Sequence, residues 1–182
     1  MDRYVAFLRG MNLGSRRIKT PELRAEFEQL GFSEVATFRA SGNVIFGSNG
    51  GETEAALTKK VESGLADGLG YDVPVFLRST EEVAAIAAQE PFAAKLVEAS
   101  KGKLQVSILT KKPTAKARKA VLALAGDEDL LAIEGRELYW LPSGGTIDSD
   151  LDLKAIDSSL GKGTMRTMGT VAQIAAKHCA AG

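Results

Sequence analysis

The chain has 182 residues, with 23 Lys+Arg balancing 23 Asp+Glu, 45% hydrophobic residues and a single Cys. One cysteine excludes an intrachain disulfide and a cysteine-based zinc site, and balanced charge excludes nucleic-acid binding driven by bulk electrostatics alone. A chain of this length buries roughly 70% of the surface it exposes unfolded, enough for a core without metals or disulfides, and it forms one domain or two small ones.

Tyr4 to Leu8 is short, apolar and rich in β-branched or aromatic residues, which predicts a strand covered on both faces. It is too short for the apolar region of a signal peptide, and no run approaches the ~18 residues of a membrane span, so the expectation is a soluble, cytoplasmic protein. A long polar loop, Arg9 to Thr20, follows. Thr20 is placed to cap a helix that starts at Pro21 and carries Leu23, Phe27 and Leu30 on one face, with Gly31 ending it. Val35 to Phe38 and Asn43 to Phe46 predict a hairpin through Ala40-Ser41-Gly42-Asn43. Leu57, Val61 and Leu65 stripe a second helix. Val73 to Leu77 is a fourth strand, which Pro74 places at an edge or at its own start. Ser79 with Glu82 forms a capping-box pattern opening a third helix through Val83 and Ile86.

The second half repeats this order. Leu104 to Thr110 predicts a strand and Thr114 to Ala125 a helix. Leu130 to Ile133 and Leu138 to Leu141 form a hairpin through Glu134-Gly135-Arg136-Glu137, and Leu153, Ile156 and Leu160 stripe another helix. Thr164 to Thr167 is a last strand, and Val171, Ile174, Ala175 and His178 line the final helix. The letters after Arg78 (Val83-Ala84, Ile86-Ala87-Ala88) return after Arg166 (Val171-Ala172, Ile174-Ala175-Ala176). The fold class is therefore α+β: a tandem repeat of two ferredoxin-like (βαββαβ) subdomains, residues 1–88 and 104–182, each followed by an extra helix and joined by a linker at 89–103. Helices cover only one face of such a sheet, yet Tyr4 to Leu8 and Val44 to Phe46 are apolar at every position. The other half of the chain, the extra helices, or a second copy in a homodimer must cover the remaining face.

Leu8-Arg9-Gly10-Met11-Asn12-Leu13-Gly14, Leu23-Arg24, Leu30-Gly31-Phe32, Ser41-Gly42-Asn43-Val44-Ile45-Phe46, Leu138-Tyr139 and Thr164-Met165-Arg166 with Thr170-Val171 together resemble the bacterial domain-of-unknown-function family numbered 1697. The resemblance runs from Tyr4 to about Ala176. It implies an α/β protein of two similar subdomains and carries no established activity. The family's Arg-Asn-Trp-x-Thr pattern is Arg166-Thr167-Met168-Gly169-Thr170 here, without the Asn and Trp side chains.

The loop from Arg9 to Lys19 combines glycines, which let a backbone approach a ligand, with Arg9, Arg16, Arg17 and Lys19 and a following helix N-terminus. This chemistry suits phosphate or carboxylate. No Walker A or dinucleotide fingerprint occurs, so the loop is not a standard nucleotide cradle, and no cofactor is implied. Ser41 and Asn43 are turn residues that can also present hydrogen-bonding groups. The only His is at 178 and no Gly-x-Ser-x-Gly elbow exists, which excludes a triad hydrolase. Arg78 and Arg166 fall at equivalent strand ends, where an Arg either pairs locally or binds an anion.

In the acidic run 148–152, Leu153 stands where a calcium loop needs Gly and Ser159 where it needs Glu. Helix capping is the better account, and no metal site is expected. Tyr139, Trp140 and Phe38 lie on strands but not in an RNA-recognition string. The combined expectation is a site of Arg9, Asn12, Arg16, Arg17, Ser41, Asn43 and Arg166 for an anionic small molecule. Nucleic acid and a non-catalytic interaction module that dimerises through its sheets are the alternatives.

Overall fold

The computed structural model describes every residue except 12, 13, 15, 16, 40, 41 and 180–182. It comprises an α+β fold in two compact units: Met1–Ala84 together with the chain from Ile174 onward, and Ala85–Gln173.

In the first unit, β1 (Asp2–Leu8), α1 (Thr20–Gln29), β2 (Ser33–Thr37), β3 (Asn43–Ser48), α2 (Glu54–Leu69) and β4 (Val75–Ser79) follow one another, and α3 (Thr80–Ala87) begins at once. The sheet is antiparallel with order β2-β3-β1-β4. Both helices form because their apolar residues recur every four positions: Leu23 and Phe27 on α1, and Leu57, Val61 and Leu65 on α2, are all buried. They pack against Ala6, Leu8, Val44, Phe46, Val75 and Leu77. Phe46 anchors an aromatic group, with ring centroids 4.4 Å from Phe32, 5.4 Å from Phe27 and 5.8 Å from Tyr4.

Helix α1 begins at Thr20, one residue earlier than expected, because Glu22 supplies the capping acceptor: its carboxylate takes the Lys19 N–H at 3.0 Å. Pro74 precedes β4, an edge strand whose Val75 N–H donates to Glu62 Oε1 at 3.0 Å. The capping box forms as expected, with Glu82 N–H donating to Ser79 Oγ at 3.2 Å and Ser79 N–H to the Glu82 carboxylate at 2.9 Å.

The second unit contains α4 (Ala94–Ala99), β5 (Gln105–Leu109), α5 (Ala115–Leu122), β6 (Asp129–Glu134), β7 (Glu137–Pro142), α6 (Leu153–Leu160), β8 (Gly163–Thr167) and the start of α7 (Met168–His178). Its sheet has the order β6-β7-β5-β8, the same arrangement of first, second, third and fourth strands as in the first unit. Val121, Ile133, Leu138, Ile156 and Leu160 form its helix-side core. Thr114 caps α5 and Asp152 caps α6, each accepting a backbone N–H three residues on, which accounts for part of the acidic run at 148–152.

Residues 89–103, expected as a linker, contain α4, and α3 and α7 each contribute residues to both compact units.

Strand register assigns the faces, because directly opposed residues share one. Val5 lies opposite Ile45 and Arg78, and Phe7 opposite Phe76; all five are buried although they point away from α1 and α2. The same holds for Val106, opposite Tyr139 and Arg166, and for Ile108. Val5, Phe7, Ile45, Val106 and Ile108 are all fully buried within the single chain.

Candidate functional site

The C-terminal end of β1 meets the β2–β3 turn. Phe7 is opposite Asn43, the Leu8 N–H donates to Gly42 O at 2.8 Å, and the Arg9 N–H donates to Pro74 O at 3.0 Å. Gly42 has φ +75°, and a Cβ there would lie 2.9 Å from Met11 Cγ and 3.0 Å from Leu8 Cβ. Only glycine lets the turn press this closely on the start of the Arg9 loop. Arg9 is half-buried here and Arg17 is exposed. Asn43 is fully buried, and its Nδ2 donates to Phe38 O at 2.9 Å, closing the turn from inside. Asn12, Arg16 and Ser41 lie outside the described residues. Arg39 flanks the turn with φ +56°, its guanidinium 5.6 Å from the centre of the Phe38 ring.

Arg166 belongs to the second unit, on β8 opposite Val106, just as Arg78 lies on β4 opposite Val5. Each guanidinium Nη1 donates to the carbonyl of the residue before it, at 2.8 Å from Arg166 to Met165 and 2.7 Å from Arg78 to Leu77. Arg166 Nη1 also donates to Thr164 Oγ1 at 2.9 Å. Burial lowers the Arg166 pKa to about 10, which leaves it cationic at neutral pH. Both arginines thus make local bonds at equivalent positions of the two sheets, as the repeated letters foreshadow.

A cleft of about 730 Å³ opens at the other end of β1, among Arg3, Tyr4, Thr80, Glu81, His178 and Cys179. Arg3 Nη1 donates to His178 O at 3.1 Å, placing a cation on the C-terminal end of α7. Its Nε lies 3.4 Å from Glu34 Oε2, close enough for an ion pair but not aligned for a hydrogen bond. Arg3 Nε and His178 Nε2 are both buried and, among the described residues, make no hydrogen bond. The His178 pKa is lowered by burial, then by Lys177 and Arg3, so the ring is neutral at pH 7. The Cys179 thiol is pushed up by burial, which outweighs Arg3, and Glu81 adds to the rise. The Tyr4 phenol is also raised, first by burial and then by Asp2, Glu54, Glu81 and Glu82. Glu81 is held below the usual carboxylate range by its own backbone N–H and by Ser79.

Sequence reasoning missed this cleft because Arg3 and His178 stand 175 positions apart and belong to no motif. The sole signal was chemical: the only His and the only Cys of the chain are adjacent.

A smaller cavity of about 300 Å³ lies beside Asp129, Ser143 and Ser149. There Trp140 Nε1 donates to Asp129 Oδ1 at 2.6 Å, and Ser149 Oγ lies 2.9 Å from both carboxylate oxygens. Those bonds give Asp129 a structural role. Among the described residues no group of three or more His, Cys, Asp or Glu is placed to hold a metal ion, and no helix is long and apolar enough to cross a membrane.

The fold has a solved counterpart, described as the structure of conserved bacterial protein SP0830 from Streptococcus pneumoniae. The likeness has a TM-score of 0.71 at 20% sequence identity, over 97% of this chain and 99% of that one. No curated protein matches the sequence. The model of one family, described as "Protein of unknown function (DUF1697)", matches residues 1–139, spanning the whole first sheet and the second unit as far as Tyr139. The chain therefore belongs to the DUF1697 family, whose function is unknown.

Proposed function

We propose that the chain is a tandem pair of ferredoxin-like subdomains, residues 1–88 and 104–182 joined through 89–103, and that the first binds an anionic small molecule where β1 ends. The shared strand order of the two sheets supports the repeat. The observation that carries the binding site is the seating of the β2–β3 turn on the exit of β1, through the Leu8–Gly42 bond and the absence of room for a Cβ at Gly42. Arg9, half-buried beside that junction, supplies charge in a partly desolvated setting, where a charge-assisted bond is stronger than at an open surface. Arg16 and Arg17 would add charge from the same loop, and Asn12 and Ser41 would add polar contacts. Asn43 shapes the turn from within.

Thermal-shift measurements with inorganic phosphate, nucleotides and small organic acids test this reading. A ligand at about 100 times its Kd adds about 2.7 kcal/mol, a rise of roughly 5–10 °C for a chain of this size. The shift should vanish in Arg9→Ala. Stabilisation that survives the substitution would move the site elsewhere, and no stabilisation by any anion would remove the reading.

A further inference from the structure

The cleft around Arg3 and His178 opens at the end of β1 away from the Arg9 loop, with the His178 ring edge-on to Phe38 of the β2–β3 turn, centroids 6.3 Å apart. Asp2 and Leu8 bound β1, and at about 3.3 Å per residue its ends are roughly 20 Å apart. A single small molecule does not occupy both.

Three features of the cleft point to a ligand. Buried polar groups in native proteins are nearly always hydrogen-bonded, yet among the described residues Arg3 Nε, although paired at 3.4 Å with Glu34 Oε2, and His178 Nε2 make no hydrogen bond, which leaves both able to donate to an acceptor when the neutral His178 ring carries its proton on Nε2. Glu81, which remains ionised, and Asp2 also line the cleft and bring negative charge to it, and both carboxylates act on the Tyr4 phenol. The volume, about 730 Å³, lies within the range of small-molecule pockets. The Cys179 thiol stays protonated, so the cleft offers binding rather than nucleophilic chemistry.

We propose that this cleft binds a small zwitterion of the amino-acid class, its carboxylate on Arg3 and His178 and its ammonium toward Glu81 and Asp2. A simple anion would meet Glu81 and Asp2, and a simple cation would meet Arg3. A molecule bearing both charges satisfies the two nitrogens and the carboxylates together.

Calorimetric and melting titrations of the full chain with a panel of free amino acids, each paired with its N-acetyl and its carboxamide derivative, test the proposal. The expected result is binding by one or more free amino acids, weakened about tenfold or more when either charge is removed, the scale of one charged hydrogen bond. His178→Ala keeps the backbone carbonyl that Arg3 holds, so it should fold while losing affinity. Glu81→Gln should weaken the free amino acid but leave its carboxamide-to-parent ratio unchanged, and Arg9→Ala should bind as wild type. No binding by any amino acid, derivatives that bind as well as their parents, or binding untouched by both His178→Ala and Glu81→Gln would each overturn the proposal. Loss of amino-acid binding in Arg9→Ala would also overturn it, by placing the site at the other end of β1.

Discussion

The two sheets share one strand order, yet their hairpins differ. In β6–β7 the register runs without a break from Asp129 opposite Pro142 to Glu134 opposite Glu137, and two residues, Gly135 and Arg136, make the turn. Gly135 has φ +58° at the first central position, the arrangement of a type II′ turn, whose twist matches that of its strands. The β2–β3 pair is irregular by contrast: its register shifts between Ser33 and Ala36, Glu34 has φ +48°, and four residues separate Phe38 from Asn43. That longer turn is the one that leans on the exit of β1. One topology thus supports a plain, closed hairpin in one unit and, in the other, an irregular pair in which Glu34 and Arg39 carry positive φ, the kind of departure that clusters at functional sites.

The cores give the largest expected effect. Phe46→Ala removes the centre of the aromatic group around β3 and should cost about 3–5 kcal/mol. Leu138→Ala on the corresponding strand of the second sheet should cost about 2–5 kcal/mol, at the low end if its aliphatic surroundings close over the gap. Urea unfolding followed by Trp140 fluorescence and by circular dichroism would show whether the two units unfold together. Equal costs with coincident transitions would erase the contrast between the cores.

Gly42→Ala must accept a left-handed backbone and press its Cβ on Met11 and Leu8, so a loss of about 2–4 kcal/mol is expected. At Gly135 a Cβ meets only the end of the Glu137 side chain, at 3.3 Å, which can swing away. Gly135→Ala should therefore cost about 1–2 kcal/mol, from the backbone alone. Melting temperatures of the pair decide the matter, and a larger loss at Gly135 would contradict the account of the β2–β3 turn.

Asp129→Ala tests what secures the end of the regular hairpin. It leaves the buried Trp140 Nε1–H without its acceptor, which should cost about 1–3 kcal/mol, while Asp129→Asn, able to accept the same bond, should cost less.

The smallest effect is a pH dependence at the Arg3 cleft. His178 titrates below its ordinary value of 6.5 in the folded chain, so the unfolded state binds more protons as pH falls through that value. Its contribution to stability is intact above about pH 6.5 and declines as pH falls toward the folded pKa. His178→Gln should flatten that part of the melting-temperature profile, and an unchanged profile would show that another group causes it.

Every strand, and every helix but α4, is legible in the sequence in its right order. Apolar residues spaced by four made the helices, short β-rich runs made the strands, and Ser79 with Glu82 marked a cap that forms as written, because these signals depend on neighbours within one turn or one strand. Even the matching positions of Arg78 and Arg166 could be read from repeated letters. The start of α1, the helix inside 89–103 and the membership of α3 and α7 could not, since competing caps and tertiary packing decide them. At the proposed Arg9 site, the sequence supplied the charges and the glycines, but only the register of β1 on β3 brought Gly42 against Leu8 and turned Asn43 inward to close its own turn. At the Arg3 cleft nothing local foretold the site. Residues at the two ends of the chain meet there because α7 finishes in the first unit, and sequence spacing carries no record of a contact made across 175 positions.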